Sequence, residues 1–99
     1  MMEISKIQAR QGKIDVSGEI ISKDEPREFE KFGKTGKVCN AVLEDKSGKI
    51  NLTLWNDEVD NVNVGDKVKI TNGYCGEYQG EKQLTAGKFG KLEVVEKED

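Results

Sequence analysis

Leu43-Glu44-Asp45-Lys46-Ser47-Gly48-Lys49-Ile50-Asn51-Leu52-Thr53-Leu54-Trp55 is the stretch that decides the fold. A strand ends near Leu43, and Asp45-Lys46-Ser47-Gly48 has the chemistry of a turn. Beyond it the residues alternate strictly, with Ile50, Leu52 and Leu54 on one face and Asn51, Thr53 and Trp55 on the other. The stretch predicts a β-hairpin. Its polar face ends in the single tryptophan of the chain, and a large ring turned away from a core implies something for it to meet.

Upstream, Val38 to Leu43 predicts the partner strand, with Cys39, Ala41 and Leu43 on one face and Val38, Asn40 and Val42 on the other. Both faces are mixed, so the pattern leaves the inward one open. Glu25 to Phe32 contains the only proline, at a position that suits an edge or a bulge. An extended backbone there puts Arg27, Phe29 and Lys31 on one positive, aromatic face. Gly33-Lys34-Thr35-Gly36-Lys37 predicts a flexible hairpin connection. Its Gly-Lys-Thr is not a phosphate loop, because the glycine required five residues earlier is Glu28. Lys13 to Ile20 alternates as a first strand, in which Gly18 suggests a bulge or sharp bend. Glu3 to Gln11 is a polar lead-in pinned by Ile4 and Ile7.

Downstream, Asn56 or Asp57 can cap a short helix that Val59 and Val62 pack onto the body. The acids here lack the spacing of a calcium loop. Lys67 to Tyr78 predicts a fourth strand, with Val68 and Ile70 inward, a bend at Gly73 and Gly76, and Tyr74 and Tyr78 sharing a face. Gln79-Gly80 turns the chain into a fifth strand, Lys82 to Ala86, continued or followed by residues 87 to 95. Residues 96–99 form a charged tail expected to be disordered. Strand curvature and the order βββαββ together predict an all-β protein: a five-stranded OB-fold Greek-key barrel with one short helix between strands 3 and 4.

The 99 residues suffice for one domain, 1–99, with its core at about 13–95. The doubled methionine at the start leaves open a domain cut from a longer protein. With 34% hydrophobic and 35% charged residues, no apolar run crosses a bilayer and no signal segment follows Met2. The expectation is an intracellular protein, in the cytoplasm of a prokaryote-like cell or in a nucleus, with no membrane partner. Cys39 and Cys75 have no CxxC spacing, and no histidine is present to join them. They read as reduced, buried thiols rather than zinc ligands, and no metal or cofactor is expected. The lack of histidine also removes the commonest general base, so no enzyme is expected.

A net charge of −3 at first argues against a nucleic-acid partner. The charge is unevenly placed. Residues 31–55 carry five lysines against Glu44 and Asp45, and residues 67–91 five lysines against Glu77 and Glu81, whereas residues 56–66 carry four acids and no base. A positive groove on an acidic protein is compatible with these sums.

The segments Glu25-Pro-Arg-Glu-Phe29, Leu43 through Asp45-Lys-Ser-Gly48 to Ile50, Leu54-Trp55-Asn56, Gly65-Asp66, Ile70 through Asn72-Gly-Tyr74, Tyr78-Gln-Gly80 and Gln83-Leu84 through Gly87 follow in order over residues 25–90. As a set they resemble the OB-fold domains of archaeal and eukaryotic replication protein A and the related short single-stranded DNA-binding proteins. The resemblance implies a domain without catalytic activity that binds single strands, with Trp55, Tyr74 and Tyr78 stacking on bases and Arg27, Phe29 and Lys31 along the first loop. Where short members carry an aromatic on the fifth strand, this chain has Leu84 and Thr85.

The mechanism expected is stacking of rings on bases at about 1–3 kcal/mol each, without regard to sequence. Lys34, Lys37, Lys69 and Lys82 join Arg27 and Lys31 as phosphate contacts, and Asn40, Asn51 and Thr53 supply hydrogen bonds. Phe32 and Phe89 read as packing residues. The expected partner is single-stranded DNA in replication, repair or recombination, alongside further OB domains or replication and repair proteins. Two alternatives stand: single-stranded RNA on the same platforms, and a protein partner or assembly subunit using Trp55 and the tyrosines as anchors.

Overall fold

A strand of thirteen residues, β1 (Gln11–Lys23), is long enough to bond to two different neighbours, and the barrel closes through it. The computed structural model describes residues 2–87 and 89–96. After β1 come β2 (Arg27–Lys31), β3 (Lys34–Asp45), β4 (Gly48–Trp55), α1 (Asp57–Asn61), β5 (Lys67–Tyr78), β6 (Glu81–Thr85) and β7 (Lys91–Glu96). β1 pairs antiparallel with β5 along Gln11–Glu19 and with β3 along Glu19–Lys23. The β3–β4 hairpin runs in unbroken register from Val38↔Trp55 to Asp45↔Gly48. β4 and β6 pair in parallel at Asn51↔Gln83 and Leu52↔Leu84, and β6 returns antiparallel to β5. Strands β1, β3, β4, β6 and β5 thus form the five-stranded barrel that the sequence predicts, with α1 between its third and fourth strands.

Two further strands stand outside the five counted from the sequence, one in the stretch 25–32 that reads as extended and one where the fifth strand reads as continued or followed by 87–95, and both satisfy backbone groups that the barrel leaves over. β3 outruns β4, so Lys34 to Lys37 would have no ladder partner; β2 supplies one, from Arg27↔Val38 to Lys31↔Lys34. The stretch expected to be a flexible connection is therefore mostly strand. The turn itself is Phe32-Gly33, with φ of 54° and 76°, the paired positive angles of a two-residue hairpin turn. In the same way β6 covers only Tyr74 to Tyr78 of β5, and β7 pairs with Lys67 to Thr71.

The core is the inward row of each barrel strand. Cys39, Ala41 and Leu43 are the buried face of β3, which settles the choice the pattern left open, and they meet Ile50, Leu52 and Leu54 of β4. Ile14, Val16, Ile20, Val68, Ile70, Cys75 and Leu84 complete the interior, each large aliphatic contributing about 1.5–3 kcal/mol. Val59 and Val62 of the α1 segment close the Trp55 end of β4, and Ile4 and Ile7 of a short 3-10 turn (Ile4–Lys6) pack at its Gly48 end. Burial pushes both free thiols up from their usual pKa.

Local details differ from expectation for physical reasons. Gly18 is not a bulge: the register shifts of β1 fall on either side of it. A Cβ there would stand 2.5 Å from the Glu44 carbonyl oxygen, so glycine is what lets β3 approach. Neither Asn56 nor Asp57 caps α1 with its side chain; Asn56 has φ of 52°, and its Oδ1 accepts the Lys37 N–H instead. At the other end Lys23 Nζ donates to the carbonyls of Val59 and Val62, finishing the helix from outside. Phe32 and Phe89 are not packing residues, being 92% and 83% exposed, because each sits on a connection beyond the barrel wall. Glu96 ends β7 rather than starting a tail, and the expected disorder of 97–99 lies outside the described residues.

Asp45 ties the turn to the lead-in. Its Oδ1 accepts the Ser47 hydroxyl and the N–H groups of Ser47 (2.7 Å) and Gly48 (3.1 Å), and its Oδ2 accepts the Ile4 N–H (3.0 Å). Desolvation works to raise its pKa, but the bonds from Ser47, Ile4 and Gly48 outweigh it and hold the carboxyl below its ordinary value. A depressed folded-state pKa gives stability that is present above the ordinary value near 3.9 and is lost as pH falls through the folded one. Asp45→Ala is expected to cost about 1–3 kcal/mol at neutral pH, read as a lower urea midpoint, and to lose less than the parent on going to pH 3. Gly18→Ala is expected to cost about 1–3 kcal/mol by the same measurement, through overpacking against Glu44.

Candidate nucleic-acid interface

Strand alternation fixes one outward face. With Cys39, Ala41 and Leu43 inward, β3 presents Val38, Asn40 and Val42; with Ile50, Leu52 and Leu54 inward, β4 presents Asn51, Thr53 and Trp55. These residues pair directly, as Val38↔Trp55, Asn40↔Thr53 and Val42↔Asn51. β6 continues the face with Gln83 and Thr85, and β5 with Tyr74 and Tyr78. Tyr74 and Tyr78 point outward because Asn72, at φ of 54°, shifts the alternation: Val68 and Ile70 face inward before it, and Gly73 and Cys75 after it. The Asn72 N–H is held by Asp15 Oδ1 at 2.9 Å.

The three rings are accessible, Trp55 at 43%, Tyr74 at 46% and Tyr78 at 66%. None is sealed in the interior. Beyond Trp55 the β2–β3 arm carries Arg27, Phe29, Lys31 and Lys34 on the same side, in register with Val38, Gly36 and each other. Arg27, Lys31 and Lys34 are exposed, and Lys31 Nζ stands 5.5 Å from the centroid of the Phe32 ring at the tip.

Not every expected residue joins this face. Lys37 lies on the opposite side of β3 and pairs with Asp60 at 3.3 Å. Lys69 is set between Ser17 of β1 and Glu93 of β7, on the half of β5 away from the tyrosines. Lys82 donates to the Ile7 carbonyl at 2.7 Å, at the edge of a groove that also takes in Ser5, Lys49 and Asn51. Asn51 and Thr53 are within the face but engaged, with Glu81 (3.3 Å) and Gln83 (3.4 Å); Asn40 is exposed. Gln83 and Thr85 lie on this face, and Phe32 at the tip of the arm, although the sequence reading names none of the three for it. The alternation of Gln83-Leu84-Thr85 carried the signal for the first two, and nothing in the local sequence marks Phe32 as a hairpin tip.

Carboxylates also border the face. A cleft of about 500 Å³ beside Trp55 is lined by Asn56, Asp57, Glu58, Thr85 and Gly87. Glu58 Oε1 accepts the Trp55 N–H at 2.9 Å. Burial raises the Glu58 pKa, and the Trp55 N–H only partly offsets it. At the far end Glu81 pairs with the strand position of Tyr78.

A closed barrel of this strand order, with the outward face of β3 and β4 exposed and flanked by two connections, is an OB-fold. Residues 14–92 match the family described as OB-fold nucleic acid binding domain, and the chain belongs to that family. It is a binding domain rather than an enzyme. Replication factor A of Methanothermobacter thermautotrophicus is 36% identical over 91 residues, which are 91% of this chain and 12% of that protein. Single-stranded DNA binding protein Ssb of Saccharolobus solfataricus is 23% identical over 90 residues, 91% of this chain and 61% of that one. The chain thus spans less than two thirds of either relative. In structure, the second OB-fold domain of replication protein A from Methanococcus maripaludis superposes with a TM-score of 0.78 at 23% identity, covering 99% of this chain and 97% of that one. Among the described residues no helix is long and apolar enough to cross a membrane.

Because Glu58 grips the backbone of Trp55, ionising it should register in the indole. The Trp55 emission is expected to titrate with a midpoint above the ordinary glutamate value near 4.3, and that step should vanish in Glu58→Gln. A raised folded-state pKa also means stability falls as pH climbs through it, so the variant should lose less stability than the parent over that range.

Proposed function

We propose that this domain binds single-stranded DNA with little regard to sequence, as a replication, repair or recombination module of replication protein A type working inside the cell. The observation that supports this best is the row of accessible rings, Trp55, Tyr74 and Tyr78, on one outward face that continues into Arg27, Lys31 and Lys34. Every nucleotide of a single strand offers a base to stack and a phosphate to neutralise. Stacking is worth about 1–3 kcal/mol per base, and each neutralised phosphate adds about −0.7 to the slope of log affinity against log salt. Asn40, Gln83 and Thr85 lie between the rings and meet bases or sugars without a fixed donor pattern. Lys37, Lys69 and Lys82 contribute only to the general field, since each is placed or paired elsewhere. One domain with so few platforms binds weakly or moderately, and useful affinity comes from joining several, with other OB domains as partners.

A second reading, a protein partner on the same rings, is favoured by Asp57, Glu58 and Glu81 at the two ends of the face, which repel phosphate. A titration separates the two. Oligothymidine is expected to quench Trp55 emission at low salt, to lose affinity as salt rises, and to bind Tyr74→Ala and Tyr78→Ala more weakly by about 1–3 kcal/mol each. No change in emission at tens of micromolar oligonucleotide in low salt would leave the protein partner as the better account. Oligouridine in the same cell compares RNA with DNA.

A further inference from the structure

Phe29 falls among the residues that the family resemblance assigns to strand contact, but its surroundings give it another task. It is half-buried on β2, directly opposite Gly36 of β3. A Cβ on Gly36 would come within 2.5 Å of Phe29 Cζ and 2.9 Å of Cε2, so the ring lies down on that glycine. From there it meets Trp55, with centroids 5.9 Å apart and planes at 84°, within the range that aromatic pairs prefer. This is the one ring-to-ring pair among the described residues.

The backbone of Trp55 is already fixed. Its N–H goes to Glu58 Oε1 at 2.9 Å, and the next residue, Asn56, exchanges bonds with Lys37 through its N–H (2.9 Å) and its Oδ1 (3.2 Å). Among the described residues no such bond orients the indole itself. The ring of Phe29, anchored through the ladder Arg27↔Val38↔Trp55 and the flat seat at Gly36, packs edge-on against it. A side chain ordered beforehand loses less entropy on binding.

We infer that Phe29 is a positioning residue: it acts on a bound strand through Trp55, by holding the indole in place, and does not itself stack on a base. The inference rests on the single-strand reading above and narrows it. It also makes Gly36 part of the device, because only a residue without a side chain leaves room for the ring.

The test is a double-mutant cycle on oligothymidine affinity, followed by fluorescence anisotropy of a labelled oligonucleotide so that Trp55 can be replaced. Phe29→Ala is expected to weaken binding about 2- to 12-fold, the fold-change equivalent of one aromatic pair, with no further loss when introduced into Trp55→Ala. The slope against salt should not move, and Phe29→Tyr should restore affinity. Gly36→Ala keeps both rings but displaces one, and it should weaken binding in the same direction. In the unliganded protein, Phe29→Ala and Gly36→Ala should each flatten the near-ultraviolet circular dichroism of Trp55 while unfolding stays cooperative in urea. Equal losses from Phe29→Ala in both backgrounds would mean that Phe29 stacks on a base, and would overturn the brace while leaving the single-strand reading intact. An unchanged tryptophan band would overturn it too. A parent protein that ignores oligothymidine altogether overturns the reading and the inference together.

Discussion

β1 must bond to β3 with one half and to β5 with the other, and no flat strand can do both. Curling it brings backbones closer than side chains allow, and that constraint shapes the remainder. At Gly18 the carbonyl of Glu44 occupies the place of a side chain; at Gly73 the Ile70 methyl and the Thr85 carbonyl do the same, at 2.7 and 3.0 Å from where a Cβ would be. Once the wall is bent this tightly, each barrel strand has a sealed inner row and an outer row on a convex surface. The outer rows of four strands then merge into one continuous face.

Trp55 stands where several demands on that face meet. It ends the β3–β4 ladder, begins the connection to α1, gives its N–H to Glu58 and meets the arm through Phe29. Positive charge approaches it from the arm and negative charge from α1, with Lys37 and Asp60 pairing across the gap. A face with cations on one side of its principal ring and carboxylates on the other has a direction, which a uniformly basic groove lacks.

Much of this was legible in the sequence, because the barrel strands are half-buried and so alternate. Ile50, Leu52 and Leu54 announce β4, and the break at Asp45-Lys46-Ser47-Gly48 announces its turn. What escaped has a common cause: it depends on groups distant in sequence. β2 and β7 exist because longer neighbours leave backbone unpaired, which no local pattern encodes. The inner face of β3 was ambiguous because Val38 and Val42 are as apolar as Ala41, and only the partner strand decides. Phe29 has the same composition whether it is bare or packed, and its seat at Gly36 and its contact with Trp55 come from the β2–β3 register.

The two sulfur atoms lie on different seams. Cys39 of β3 faces Leu54 across the hairpin, near where the arm departs, whereas Cys75 of β5 lies between Leu84 and Gln11, where the barrel closes. Both are shut away from solvent, so an alkylating reagent can reach each only when its own seam parts. Their separate rates of modification therefore make a pair of built-in clocks, one for the hairpin and one for closure, in a protein that needs no added label to have its breathing timed.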